Sequence, residues 1–569
     1  MNSLLLAILA IAGYILAYRF YGRFLARKIF RLSSDHIMPS RQFADEVDFV
    51  ATKPNIIFGH HFTTIAGLGP IIGPAIGIIW GWLPAFLWVF LGSIFMGAVH
   101  DFSTLVVSAR NNGHTIGDLT GHIISPGTKY VLQFIMQLLL FMVLAIFAMI
   151  VATLFVMYPE SVIPVWLQIP IAVWLGWNIR RGKKDIVYSI ISLLILYLFV
   201  IAGVFIPVKL PWNYTTNVVV WTILLFIYVY FASTLPVHKL LQPRDYINSH
   251  QLFVAMALII LGIIIRHPVM SAPAINGLAF GPGSDIPSPA PLMFIVIACG
   301  AISGFHSLAS SGTTVKQVSR EPDMLPVGYG AMIAESFLAV LVIISIAAGL
   351  GLGSTEGGIF ITGEAAYYNH YSSWESADGL ASKLGAFITG AANLFEGFGI
   401  PQKYGQAFIA VFIVTFANTT LDSATRIQRL SFQEIIGQKK SKIRCTLRNR
   451  YMATFIIVTA AAALTFYKPG GQGAMILWPL FGSLNQLMAA LALGVVTVYM
   501  SAKKYPVVYT LIPMIIVLIF TLWAMIGELI GFIRGGEYLL IALSALTIIL
   551  TAWLMTGAVR VMIRRKFSA

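Results

Sequence analysis

The chain carries fifteen apolar stretches long enough, or nearly long enough, to cross a bilayer, and this succession constrains the fold more than any motif in it. They lie near residues 3–25, 55–80, 83–108, 129–157, 162–179, 186–207, 217–236, 250–266, 290–313, 326–352, 404–424, 451–467, 473–500, 506–530 and 538–559. Hydrocarbon offers no partner for a bare amide, so a spanning segment must satisfy its own backbone as a helix or close into a barrel. Segments of about twenty residues select helices. Only 10% of the residues are charged, against roughly 25% in a soluble domain. The expected fold is therefore an all-α polytopic membrane protein. It divides into an N-terminal helix with a basic loop (1–54), a core (55–424), a basic loop (425–450) and four C-terminal helices (451–569). Residues 4–18 lack a charged leader and a cleavage site and read as a retained first helix. The two cysteines, Cys299 and Cys445, support neither a disulfide framework nor a thiolate metal site.

The positions of Lys and Arg test that count. With the N-terminus outside, the loops that face the cytoplasm hold 31 of the 37 basic residues, and Lys209, Arg266, Lys383, Lys403, Lys468 and Arg534 remain opposite. A basic excess on one side marks the cytoplasmic face. The reading is N-terminus out and C-terminus in, with loop 425–450 as the most basic inner segment, suited to anionic lipid head groups. Loops 267–289 and 353–403 are then external, long and rich in Gly and Pro. Segment 380–397 is expected to form a half-membrane or surface helix.

Within this frame the stretch 59–70 (GHHFTTIAGLGP) is out of place on a lipid-facing helix. Two histidines (His60, His61), two threonines (Thr63, Thr64) and Gly67, Gly69 and Pro70 sit where Leu and Ile would be expected. Gly and Pro loosen the helix and free backbone groups, which are tolerated at membrane depth only beside protein or a wet cavity. A discontinuous helix next to titratable side chains suits the binding of a polar solute. Structural histidines on a kinked helix are the plainer alternative.

Four further clusters place polar groups in the membrane. In 97–104 (GAVHDFST), Asp101 is costly unless paired or wet, and is a functional candidate for that reason. In 231–246 (FASTLPVHKLLQPRDY), Ser233, Thr234 and Pro236 are expected to unwind or kink a span. In 299–316 (CGAISGFHSLASSGTTVK), His306 precedes Ser310, Ser311, Thr313 and Thr314, whose oxygens suit sodium but equally suit bonds back to carbonyls four residues earlier. Lys316 ends that segment, where snorkelling to the cytoplasm accounts for it. The fourth cluster joins Glu335, two turns into its span, with Asp422 at an inner helix end; Asn485 and Gln486 add an amide pair that reads as interhelical glue. The sequence holds no G-x-x-x-x-G-K-S/T phosphate loop and no H-E-x-x-H, so an ion gradient must drive any transport.

The motifs GHHFTTIAGLGPIIGP, GAVHDFST, STLPVHKLLQPRDY, GFHSLASSGTTVKQ, GYGAMIAES, TLDSATRIQR and WPLFGSLNQLMAALAL occur in this order. Together, over about residues 55–500, they resemble the carbon starvation protein A family. The resemblance implies a secondary transporter of the bacterial inner membrane, associated with uptake of peptides and in some cases pyruvate during carbon starvation. It also implies the five-plus-five inverted-repeat fold of the amino acid–polyamine–cation transporters. Residues 55–80 would then be the first core helix, 217–240 the sixth and 290–313 the eighth, with breaks in the first and sixth.

The combined reading is an importer of a small peptide or carboxylate, without enzymatic activity, cofactor or nucleic-acid partner. Substrate contacts are assigned to His60, His61, Thr63, Thr64, Gly67, Ser233, Thr234 and His306. Ion coupling is assigned to Asp101, Glu335 and Lys316, with Ser310, Ser311, Thr313 and Thr314 as the alternative; sodium would sit at Ser310, Ser311 and Thr314. Protons are favoured because His61 and His306 titrate near neutral pH. A sodium-coupled importer of another organic acid or amino acid is the second reading. A haem-bearing electron carrier is the third, although His60, His61, His100 and His306 sit beside polar or small residues better suited to a solute.

Overall fold

Long apolar runs became long helices. In the computed structural model, which describes residues 1–281, 283–356, 359–374, 380–437, 441–471 and 473–567, twelve helices are long and apolar enough to cross a membrane. A bent pair, Pro54–Ile65 and Gly69–Trp80, makes thirteen spans among the described residues. The chain is a multi-pass membrane protein. Loops 353–403 and 425–450 are described only in part.

Two of the fifteen expected spans are not among these thirteen. Span 451–467 holds a helix of only 16 residues, Arg450–Thr465. Segment 290–313 is broken into Pro289–Val296, Ala298–Ala301 and Gly304–Gly312. Ile302 and Ser303 are extended (ψ 131° and 132°), so no continuous i to i−4 ladder runs through. The run Cys299–Ser303 is small and weakly helical, and Asn485 supplies the acceptor that the Phe305 amide would otherwise lack, at 2.9 Å.

The first break lies where Gly and Pro predicted it. Ala66 leaves the helical region (ψ 53°), the Gly67 amide turns back on the Ile65 carbonyl, and the halves meet at 44°. Gly59, however, lies inside an intact helix, and close packing explains it: a Cβ there would stand 2.7 Å from Ser249 Oγ. The second half packs its glycine face onto the other interrupted span. Cβ atoms at Gly69 and Gly73 would fall 2.2 Å from Cys299 Sγ and 2.6 Å from the Val296 carbonyl oxygen. Only glycine allows two broken segments to approach this closely.

The break expected at 233–236 is a termination instead. Tyr214–Thr234 runs unbroken, Asn213 caps it through the Thr216 amide, and Leu235 is extended because Pro236 follows. A new helix, Leu241–Arg266, then begins. Helix Leu380–Glu396 is not a surface element: Leu384, Phe387, Ile388, Leu394 and Phe395 are buried, and a Cβ on Gly390 would meet the Ser345 carbonyl at 2.0 Å. Helix Gln402–Ile436 extends twelve residues past the expected end at 424, because Arg426 and Arg429 are held by Asp48 rather than by solvent.

That last contact closes one end of the bundle. Arg426 Nη1 and Arg429 Nη2 donate to Asp48 Oδ1 at 2.7 and 2.8 Å, and all three residues are buried. Burial works against the charged carboxylate, but the Arg429 and Arg426 guanidinia outweigh it and hold Asp48 well below the usual carboxylate range. A depressed acid contributes stability above its unfolded pKa of about 3.9, and that stability fades only as pH falls through the lower folded value. Asp48→Ala strands two buried cations, so thermal unfolding in detergent should register a loss of about 3–5 kcal/mol, constant from pH 5 to 8. An unchanged melting temperature would refute the role given to this clasp.

Candidate functional site

A cavity of about 340 Å³ opens beside the first helix break. Leu68, Gly69 and Gly73 form one side, Val296 and Cys299 of the second interrupted span another, and Phe481 and Asn485 a third. The amino end of Gly69–Trp80 thus meets a cavity, and its positive dipole end suits a carboxylate. Asn485 joins the cavity to what lies beneath. Its Oδ1 accepts from the Phe305 amide and lies 3.2 Å from Ser303 Oγ, while Nδ2 reaches Cys299 Sγ at 3.5 Å. The amide pair read as glue is glue in this sense, with Gln486 Nε2 donating to the Phe294 carbonyl at 2.7 Å.

Below Phe305 stands the most concentrated buried charge in that region. His306 Nδ1 lies 2.9 Å from Asp101 Oδ2, and His306 Nε2 lies 3.3 Å from Glu335 Oε2. Asp101 Oδ1 takes a second ring, His100 Nδ1, at 2.8 Å. All four residues are fully buried, and neither Glu335 oxygen nor His306 Nε2 has a hydrogen-bond partner among the described residues. Two carboxylates in this space cannot both stay ionised beside neutral imidazoles without a large desolvation cost, so the group must hold protons. One ring bridging two acids is an arrangement that can pass a proton from one acid to the other.

The other candidates are distributed differently. His61 Nδ1 meets Thr314 Oγ1 at 2.8 Å, and its Nε2 has no partner among the described residues. His60 bonds Asp245, and its Nε2 lies 3.0 Å from Gln317 Nε2. Thr63 Oγ1 donates back to the Gly59 carbonyl, Thr64 Oγ1 lies 3.2 Å from Ser423 Oγ, and Gly67 is packed against Thr420. Ser233 is buried without a partner, while Thr234 Oγ1 donates to the Phe231 carbonyl; none of these residues lines the cavity.

Three of the four hydroxyls at 310–314 make separate bonds. Ser311 Oγ donates to the Ser307 carbonyl and accepts from the Ile116 amide; Thr313 bonds back to Ala309. Thr314 is held by His61, and Ser310 is without a partner among the described residues. Lys316 does not snorkel into solvent. It is buried, its Nζ donates to the Gly312 carbonyl at 2.5 Å, and it lies 5.6 Å from the Phe49 ring centre.

A second buried ion pair escaped the sequence reading in part. Arg244 Nη1 lies 2.7 Å from Asp422 Oδ2, and Tyr228 Oη donates to the same oxygen at 2.8 Å while also bonding Arg244. Arg244 was counted among cytoplasmic loop residues, yet it is 1% exposed inside Leu241–Arg266. The acid at 422, preceded by Thr419, Thr420 and Leu421, is the only hint in the sequence that a buried cation has to face it. Near residue 115, His114, Asp118 and His122 bring ligand atoms within 4.8 Å of one another. Lys129 already bonds the other Asp118 oxygen. Burial opposes ionisation there, but His114 and Lys129 hold the acid below the usual range.

Comparisons with known proteins agree with the motifs. The chain is 31% identical to the peptide transporter CstA of Campylobacter jejuni, over 94% of this chain and 82% of that protein. It is 30% identical to the pyruvate/proton symporter BtsT of Escherichia coli, over 92% and 81%. Among solved structures, the manganese transporter of Eremococcus coleocola aligns with 92% of this chain and 99% of its own at 12% identity and a TM-score of 0.48, too low to assign a fold. The sequence model described as carbon starvation protein CstA matches residues 2–356 and 358–524. Matched along nearly its whole length, the chain belongs to the carbon starvation protein CstA family.

Proposed function

We propose that this protein imports small peptides or a small carboxylate such as pyruvate, driven by protons, across a bacterial inner membrane. Its N-terminus lies outside and its C-terminus in the cytoplasm. The observation that carries the reading is His306 held between Asp101 and Glu335, fully buried and one residue beyond the Phe305 amide that cavity-lining Asn485 holds. Substrate enters the cavity and meets the amino end of Gly69–Trp80. Proton occupancy of the acid–imidazole group then sets which side the cavity opens to. Proton coupling is favoured over sodium because Asp101, His306 and Glu335 form a buried titratable group. The family relative named as a pyruvate/proton symporter supports the same ion. Within this reading the core 55–424 is a five-plus-five inverted repeat with 55–80 as its first helix, 217–240 as its sixth and 290–313 as its eighth.

Purified protein in proteoliposomes tests this. Under an inward proton gradient without sodium, labelled dialanine or pyruvate should accumulate above its external concentration, and a protonophore should abolish the accumulation. Accumulation that requires sodium and ignores the protonophore would overturn proton coupling.

A further inference from the structure

The cavity carries one charge that the coupling account leaves unused. Among its described lining residues Glu528 is the single charged side chain; no Lys, Arg or His lines it. Glu528 comes from helix Val508–Gly535, one of the C-terminal helices outside the core. Ser483 Oγ donates to its Oε1 at 2.7 Å, while Oε2 is shielded from solvent and has no partner among the described residues. Phe147, Trp374 and Phe481 stand among the walls, and their ring faces favour a cation.

A carboxylate with one unsatisfied, desolvated oxygen costs free energy unless a cation or a proton joins it. An anion without an ammonium group would enter a cavity whose single charged side chain among the described residues repels it. A zwitterion would satisfy both ends, with its carboxylate on the amino end of Gly69–Trp80 and its ammonium on Glu528. We propose that Glu528 is the acceptor for the substrate's ammonium group, so that this chain selects amino-terminal compounds such as short peptides over 2-oxo acids. The assignment rests on the transport reading above and deepens it. It gives Glu528, on a peripheral helix, the part of a specificity determinant, and proton coupling stays with Asp101, His306 and Glu335.

The test uses the full chain, wild type and Glu528→Gln, with labelled L-alanyl-L-alanine as the probe. Uptake into proteoliposomes and binding to purified protein are measured side by side. Excess unlabelled N-acetyl-alanyl-alanine and pyruvate serve as competitors that lack the ammonium. The expected result is that neither competitor displaces the dipeptide, and that Glu528→Gln raises KM and weakens binding by about tenfold or more with kcat little changed, as loss of a charge-assisted bond requires. Glu528→Asp should recover part of the affinity. Competition by the acetylated dipeptide or pyruvate as strong as by dialanine itself, or wild-type KM in Glu528→Gln, would overturn the assignment; the latter would mean that the carboxyl is simply protonated. Binding that depends on Glu528 without any uptake would fail the transport reading and support this one. Absence of both binding and uptake would overturn it.

Discussion

Replacing Glu335 by Gln is expected to abolish uphill accumulation and to leave counterflow close to wild type. Glutamine keeps the size of the side chain and can still bond His306, but it cannot release a proton to the ring or take one from it. Exchange needs only binding and reorientation of a loaded carrier, whereas accumulation needs a proton to travel with each substrate and to leave on the other side. The residue sits fully buried, with Oε2 3.3 Å from His306 Nε2 and neither oxygen hydrogen-bonded among the described residues, so the substitution removes no solvated charge. Asp101→Asn should behave alike in accumulation but be less benign for folding, because Asp101 holds two rings, His100 and His306, and Glu335 holds one. Ser310→Ala and Thr314→Ala should keep proton-driven accumulation. Wild-type accumulation in both acid variants, or sodium dependence lost in a hydroxyl variant, would remove the coupling assignment.

A stability effect as large as that at Asp48 is expected at Arg244. Its guanidinium, Asp422 and the Tyr228 hydroxyl form a closed group in which Arg244 and Asp422 are each about 1% exposed. Arg244→Met leaves Asp422 as an uncompensated buried charge, at a cost of about 3–5 kcal/mol out of a total that for most proteins is only about 5–15 kcal/mol. Little monodisperse protein should survive extraction in mild detergent. The double variant Arg244→Met, Asp422→Leu removes both charges and should recover most of the folded yield, since apolar replacements of a buried pair are often tolerated. Equal loss in single and double variants would show that the pair serves binding or packing in some other way.

Much of the arrangement was legible because membrane physics punishes misplaced polarity. Asp101, His306 and Glu335 stood out singly, each as a titratable residue in an apolar run, and the fold brought them together. The break at 66–68 followed from Gly and Pro at 67–70. What escaped notice depended on partners far away in sequence. Arg244 and Arg426 looked like loop charges because the positive-inside pattern explains any basic residue near a helix end; only Asp422 and Asp48, nearly two hundred and four hundred residues distant, make them buried cations. The interruption at Ile302–Ser303 was hidden for a similar reason. Its run of Cys, Gly, Ala and Ser has no proline, and its extended backbone is stabilised by Asn485 from a helix nearly two hundred residues later. At 233–236 the error was the reverse: Pro236 was taken to break a span, while it ends one and the next helix begins five residues on. The hydroxyls at 310–314 are oxygen-rich in sequence, but back-bonding and His61 had already claimed three of them. Glu528 was passed over because a single acid near the end of a peripheral helix looks solvated until the cavity wall is drawn.

The most direct test follows protons rather than substrate. Proteoliposomes loaded with a pH-sensitive dye, with no imposed gradient and with the membrane potential clamped, are given an inward gradient of dialanine. The account predicts that the lumen acidifies as the dipeptide enters, that Glu335→Gln carries the dipeptide by counterflow without acidification, and that sodium changes neither result. Dipeptide entry with no change in luminal pH in the wild type would contradict it.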